Sequence, residues 1–553
     1  MTKQTLSSNE ARAALQRGVD AVANPVKVTL GPRGRNVMLD RPGQPLATRD
    51  GVTVAKEVSF LPNPFENMGA AYAREVADAA VVEAGDGTTT ATVLLQSIVT
   101  GGLQLVNEGC EPLHLADGIQ EAATVCAEHI KKQAIPATDE LVEQVAIIST
   151  HGDKELGKMI AQTTLKVGEH GVIELAESRN HETSVEILDG YHFERGWRPY
   201  DVFINEGGQR CVLKNPMILI SERVIVGATP NMQGDHIVPI LTACVKARRP
   251  LLIIAEDLQG DALNMFATNI KAGCLPGGCF VKLPGFGESR AAAVRDLQIA
   301  VGAERIHSQT STRVDDQLSS FTLQDLGECE EAIISPTRTV LVKGNAAPVE
   351  LTERLKQLIQ QSQEATNPFE KEQLDHRIAR LTGGVAVLKI GAYSEPAMIE
   401  KKARAEDAVH ACRGAMQAGV VPGGGVALLR AAQTYLNGLL PSLATDVHKG
   451  IALLLAAIRE PALQIVRNAG HKDPEAVVKK IESFLESTRG FNASTGHYGD
   501  LYELGVVDPA KVVLVALSKA ASIGSLLLTT EVLITDIPEP SPGPVNPAMM
   551  RMQ

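Results

Sequence analysis

Aromatic side chains are scarce in this 553-residue chain, with one Trp, seven Tyr and eleven Phe, 3% in all. A core with so few rings must be filled by Ala, Val, Leu and Ile, which suits helices whose backbones approach closely. The eight cysteines (Cys110, Cys126, Cys211, Cys244, Cys274, Cys279, Cys329, Cys412) include no Cys-x-x-Cys pair. The nearest two, Cys274 and Cys279, have no companion His or Cys cluster, which excludes a zinc site; the thiols read as free, in a reducing compartment. No basic block occurs, and 53 basic against 65 acidic residues give a net charge of −12, so nucleic acid is not an expected partner. Met1 to Asn9 is polar, unlike a secretory leader, and no apolar run of membrane-spanning length is expected. The expectation is a cytoplasmic protein without a membrane partner.

What is present points to a globular protein of several domains, with 44% hydrophobic and 21% charged residues. The most informative stretch is Ala84-Gly85-Asp86-Gly87-Thr88-Thr89-Thr90-Ala91-Thr92. Two glycines around a carboxylate allow a tight turn and close approach to a ligand. The threonines then present N–H groups and hydroxyls at an expected helix N-terminus, where the dipole favours an anion. A carboxylate beside an anion site calls for a bridging cation, so Asp86 reads as a Mg²⁺ ligand for a nucleotide phosphate. Helix capping by Asp86 or Thr88 is the plainer alternative. The glycine spacing matches neither a Walker A loop nor a dinucleotide fingerprint.

In chain order, Asn9–Ala23 and Phe65–Val82 have helical periodicity, and Val26–Leu30 alternates toward a Gly31-Pro32-Arg33-Gly34 loop. Val37–Asp40 and Leu46–Thr48 suggest a hairpin ending at Asp50, which by itself reads as a turn aspartate. Cys110–Gln133 is expected to be an amphipathic helix. From Gly190 the texture changes: apolar strands such as Met217–Ile220 and Leu251–Ala255 alternate with helices Asp235–Ala247 and Gly260–Lys271, implying a covered α/β sheet. Helices return after Glu400. Helical ends around an α/β middle suggest a module inserted into a discontinuous domain. The five-proline end, Pro538–Gln553, reads as a frayed tail.

These residues resemble those of the group I chaperonins, the GroEL family, over nearly the whole chain. The similarity is carried by Val28–Asn36, Phe65–Ala70, Gly85–Thr92, Pro250–Asp257, Pro284–Gly287, Leu381–Val387 and Lys401–Ala408. It implies a multidomain α with α/β fold. The implied domains are equatorial (1–132 and 418–537), intermediate (133–188 and 386–417) and apical (189–385), followed by a flexible tail (538–553). It also implies an ATPase that assembles into rings, seven subunits in each of one or two rings, around a cavity for non-native proteins. A small cochaperonin lid is a further implied partner.

Carried over residue by residue, the resemblance assigns Thr29, Leu30, Gly31, Pro32 and Arg49 to the nucleotide. Asp86, Gly87, Thr88, Thr89 and Thr90 fall around its phosphates. Gly424 falls at the ribose, with Asn492, Ala493, Ser494 and Asp508 at base and sugar. Asp86 is the implied Mg²⁺ ligand, and Thr29, Thr89 and the Arg49 backbone match a K⁺ site whose last position is usually lysine. Asp407 is the implied catalytic carboxylate that positions water, with Asp50 as its helper; a carboxylate orienting water beside a metal suits phosphoanhydride hydrolysis. Hinges are implied at Pro136, Gly190, Gly384 and Gly419. An apolar binding groove is implied at Trp197, Tyr200, Phe203, Val238, Leu241, Leu263 and Phe266, although Leu241 and Phe266 serve equally well as core.

The chain also departs from the family pattern. Ala267 and Thr268 stand where bulkier aliphatics are usual, which lowers the expected affinity of the groove by ~0.8 kcal/mol per lost buried methylene. Leu463 and Lys472 cannot form the Arg–Glu pair that often joins two rings, and the usual Gly-Gly-Met tail is missing. The expectation is a divergent member, a bacterial paralogue or a virus-encoded copy. The alternative function is a ring-forming, ATP-binding scaffold or holding protein without productive folding. A small-molecule kinase is disfavoured because no acceptor site accompanies the phosphate loop.

Overall fold

The computed structural model describes residues 3–41, 45–168, 172–178, 181–197, 201–205, 210–227, 236–285, 288–308, 317–365, 367–382, 384–438 and 445–536. It divides into two compact units, one built from Met1–Gln162 with Ala392–Gln553 and the other from Thr163–Gly391.

The first unit is a stack of long helices. Helix Ser8–Lys27 lies along Pro64–Ala84 and Thr88–Asn107, while Ala510–Thr529 packs on Thr88–Asn107 and Pro112–Gln133. Their contact faces are dominated by Ala, Val, Leu and Ile, including Leu15, Leu94, Leu95, Ile98 and Ile119, all fully buried. The scarcity of rings has its counterpart in backbone proximity: a Cβ on Gly18 would stand 1.9 Å from the carbonyl oxygen of Glu66. Two of these helices, Thr88–Asn107 and Ala510–Thr529, are long and apolar enough to cross a membrane, which corrects the expectation that no such run exists; about half of each lies inside this core. The expected alternation over Val26–Leu30 is also corrected. The first helix continues through Pro25 to Lys27, because its buried side, Val19, Val22, Ala23 and Val26, keeps helical spacing to the end.

Two small antiparallel ribbons complete the unit. Strands Val37–Leu39 and Leu46–Thr48 form the expected hairpin. Lys3–Ser7 pairs with Val532–Asp536, joining the two extremes of the described chain, and Lys3 forms an ion pair with Asp536 at 2.6 Å.

The second unit holds nine strands in one sheet among the described residues. Met217–Ile225, Leu251–Leu258 and Gly278–Lys282 run parallel, connected by helices Val238–Ala247 and Gly260–Lys271. Met217–Ser221 and Leu251–Ala255 are buried without alternation, as strands covered on both faces must be. The remaining strands are mixed; Gly384–Ile390 runs parallel to Val172–Glu177 and antiparallel to Ser184–Phe193. Two expected hinge positions fall inside this ladder, Gly190 opposite Val342 and Gly384 opposite Asp189. Shared backbone hydrogen bonds make both part of a sheet rather than of a linker. Asp296 ties this unit's helices together: it is 2% exposed and accepts from Arg354 at 2.8 Å and Arg377 at 2.7 Å, pairing that keeps a buried carboxylate tolerable.

Candidate functional site

The Gly85–Thr90 turn lies in the first unit, between two of its long helices. Helix Pro64–Ala84 ends at Gly85 (φ +76°) and helix Thr88–Asn107 begins after Gly87 (φ +91°), so Asp86 sits between two left-handed residues. Both glycines also face crowded neighbours. A Cβ on Gly85 would lie 2.0 Å from the Cβ of His410, and one on Gly87 would lie 2.7 Å from a Val512 methyl. The first of these contacts lets helix Glu395–Ala418 come close, and that helix carries Asp407 one turn before His410.

Asp50 approaches from a third direction. It caps the short helix Gly51–Glu57, accepting from the Val52 and Thr53 N–H groups, each at 3.0 Å. Gly51 fits beneath Thr89, since a Cβ there would be 2.4 Å from the threonine hydroxyl. That hydroxyl is 3.3 Å from the hydroxyl of Thr29. Thr88 is different: it is buried, with its hydroxyl turned toward the Ala77 carbonyl at 3.5 Å, so its side chain is not offered to a ligand.

The electrostatics reflect this convergence. Asp407 is held well above the usual carboxylate range by burial first, then by Asp86, Asp50 and Glu406. Asp86 is also raised, by burial and by Asp50, against the opposing N–H of Gly87. Asp508 is raised to about 6, again by burial first and then by Asp86, with the Gly424 N–H opposing. Carboxylates that raise one another's proton affinity are short of positive charge, and a divalent cation among them would relieve each. No three His, Cys, Asp or Glu side chains come together as a metal cage among the described residues. The donor set therefore fits Mg²⁺, which takes one or two carboxylates and completes its shell with water and phosphate oxygens. The Thr29 and Thr89 hydroxyls, neutral oxygen donors, suit a monovalent cation.

The loop after Thr29 is fixed by its own backbone and by side chains. Gly34 donates to Gly31 O at 3.0 Å and Arg35 to Val28 O at 2.8 Å. Asn468 donates to both Lys27 O and Leu30 O at 2.9 Å, and Arg49 bonds the Gly34 carbonyl. Gly31 rests on Ile465, Leu30 is half-buried and Pro32 is exposed. Opposite lies the hairpin Arg489–Asn492 with His497–Asp500, where the Asn492 side chain accepts from Ser494 N at 2.9 Å and Thr495 N at 3.3 Å. Asn492 and Ala493 are buried and Ser494 is exposed; Asp508 stands opposite Val421 in a short ribbon, next to Gly423 and Gly424. Thr90 is half-buried at the first turn of its helix.

One neighbour escaped the sequence reading. His151 has φ +58° and sits among Arg49, Arg404 and Asp50; burial and then the two guanidiniums push it down to about 4, against Asp50. Arg404, on the helix of Asp407, reaches Thr150 O at 3.4 Å and Glu400 at 2.9 Å. No local motif marks a His-Gly turn as part of a site built by residues so distant in sequence.

Other expected positions fall elsewhere. Ile135 and Val420 exchange backbone bonds at 3.0 and 2.9 Å, which sets Pro136 and Gly419 side by side. The expected groove is corrected in part. Phe203, Leu241, Leu263 and Phe266 lie in the core of the second unit, with Phe203 and Phe266 rings 5.6 Å apart. The reason is helical phase: Ala262, Leu263 and Phe266 face the sheet, while Asn264 and Thr268 face outward. Trp197 and Val238 remain partly exposed, and Tyr200 lies outside the described residues. Leu463 is likewise a core residue, packed with Val426 and Phe491, whereas Lys472 is exposed.

Comparison with known proteins extends over nearly the whole chain. The sequence profile of the TCP-1/cpn60 chaperonin family matches residues 22–538. Two crystal forms of the chaperonin gp146 from the bacteriophage EL 2 (Pseudomonas aeruginosa), crystallised in the presence of ATP-BeFx, share the fold. They align with TM-scores of 0.72 and 0.67 at 21% and 20% identity, each covering 97% of this chain and 99% of that one. The helical stack and the mixed-sheet unit are thus the multidomain α with α/β architecture of a chaperonin, and the chain belongs to the TCP-1/cpn60 chaperonin family.

Proposed function

We propose that this chaperonin is an ATP-dependent, ring-forming chaperone that binds non-native proteins and promotes their folding. The observation that carries the reading is the convergence of Asp50, Asp86 and Asp407 on the Gly85–Thr90 turn, three carboxylates from distant segments, where Asp50 adds to the raised proton affinity of Asp86 and both add to that of Asp407. The turn supplies N–H groups at a helix N-terminus for phosphate oxygens. Asp86 would hold Mg²⁺, and Thr29, Thr89 and the Arg49 carbonyl would hold K⁺; the metal would supply charge neutralisation for the departing phosphate.

Asp407, with its proton affinity raised, is suited to accept a hydrogen bond from the attacking water and orient it in line with the terminal phosphate. Asp50 is locked by its own helix cap and so holds a fixed orientation beside that water. Asn492 to Ser494, Gly424 and Asp508 would bound the base and sugar. Equatorial, intermediate and apical domains at the boundaries expected from sequence, and sevenfold rings, belong to the same proposal.

A second reading, a ring that holds clients without folding them, is favoured by one observation. Four of the seven groove positions are committed to the core, which leaves less apolar surface for clients. The test is phosphate release beside particle mass and refolding of a denatured client. Turnover with refolding supports the first reading; turnover without refolding supports the second. Asp407→Ala is expected to leave ATP binding nearly intact and to slow hydrolysis by about two to three orders of magnitude, in line with loss of a water-positioning group. Survival of full turnover in that variant refutes the assignment.

A further inference from the structure

Two banks of the pocket come from opposite ends of the sequence, the Thr29–Asn36 loop and the Asn492–Gly496 turn. Their rims are joined by one side chain, with Arg33 Nη2 donating to the Ser494 carbonyl at 2.9 Å across 461 residues of sequence. Both residues are exposed, so the bond crosses the solvent side of the pocket rather than its floor. On its inner side the loop is already held by Asn468 on Lys27 and Leu30 and by Arg49 on Gly34. The turn is held by the Asn492 side chain on the N–H groups of Ser494 and Thr495. Each bank thus has holding bonds of its own, and the Arg33 bond acts between them.

We propose that Arg33 is a positioning residue that clasps the nucleotide into this pocket and sets its rate of release. The inference rests on the nucleotide reading given above. A ligand lying between the loop and the turn leaves after the guanidinium lets go of the Ser494 carbonyl, or by passing beneath it. Asp50, Asp86 and Asp407 lie on other elements, so the chemical step does not depend on the clasp. The acceptor is a backbone carbonyl, so the bond is carried by the Arg33 side chain and not by the side chain at 494. An ammonium at position 33 would keep the charge and one donor while losing the planar fork.

The experiment uses the full chain and a fluorescent ADP analogue displaced by excess ATP in stopped flow, with single-turnover hydrolysis measured in parallel. Arg33→Ala is expected to release the analogue about three- to tenfold faster, the range for one exposed charge-assisted bond. Its KM for ATP should rise by a similar factor with the single-turnover rate unchanged. Arg33→Lys should fall between the parent and Arg33→Ala. Release unchanged in Arg33→Ala overturns the clasp, as does a lost single-turnover rate with unchanged release. Failure of the parent chain to bind any nucleotide overturns the reading of the pocket itself and the clasp with it, and is distinguished by appearing before any substitution is made.

Discussion

Gly85 carries two constraints at once, a left-handed backbone and contact with His410 on the helix that bears Asp407. An alanine there meets both. We expect Gly85→Ala to cost about 1–3 kcal/mol from overpacking and about 1 kcal/mol from the backbone. ATP turnover should fall further than stability alone accounts for, because the helix must shift by the depth of a methyl group. Thermal melting beside phosphate release separates the two losses; unchanged turnover would mean that this contact does not set the position of Asp407.

Asp508 and His151 make opposite contributions to pH dependence in the nucleotide-free protein. Asp508, raised to about 6, binds its proton more tightly folded than unfolded. Its stabilising effect is complete below about 4, the unfolded value, and is lost as pH rises through about 6. His151, lowered to about 4, stays neutral when folded; its contribution is present above about 6.5 and is lost as pH falls toward 4. The two mask each other in the parent chain, so the informative comparison is Asp508→Asn against the parent. The variant is expected to melt higher at pH 7, and the gap should narrow as pH falls through about 6 and close near about 4. A gap independent of pH would show that Asp508 does not carry the shift.

Among the elements, helix Glu395–Ala418 shows what a sequence can and cannot reveal. Its helical character was legible from composition, but Glu406 and Asp407 lie in a run, Lys401 to Ala408, that local pattern alone assigns to a solvated face. Family resemblance identified Asp407; only the packing at Gly85 explains why the side chain is not left in water. The Gly85–Thr90 turn was legible because tight turns and helix starts leave strong local marks. His151 left none, since its surroundings come from two other segments, at Arg49–Asp50 and Arg404. The groove was misjudged for a related reason. An apolar residue on an amphipathic helix looks alike whether it faces a client or a sheet, and the phase of Gly260–Lys271 against the strands decides for Leu263 and Phe266.

For the whole molecule, the second unit begins at Thr163, ahead of the change of texture near Gly190, and its sheet lies in sequence between Val172 and Ile390. Its core is built from its own strands and helices, including buried Phe193, Phe203, Phe266 and Phe280. A fragment Thr163–Gly391 is accordingly expected to melt cooperatively in isolation, as followed by circular dichroism. Residues 1–162 alone, cut from the rest of their unit, should not, because helix Ala510–Thr529 is missing from their core. A cooperative melt of residues 1–162 would contradict that account.

The pairing of Lys3–Ser7 with Val532–Asp536 has a consequence for how the chain is made. A ribosome delivers Lys3–Ser7 long before its partner strand. Helices Ser8–Lys27, Pro64–Ala84 and Thr88–Asn107 emerge long before Ala510–Thr529, which packs on them. At about 5–20 residues per second, the wait is on the order of tens of seconds, with an alanine- and leucine-rich face left open to solvent or to neighbouring nascent chains. The inserted unit can complete itself during that interval. Birth of this chaperonin thus depends on an unfinished half surviving unaided or being sheltered, the same hazard that its own family relieves in others.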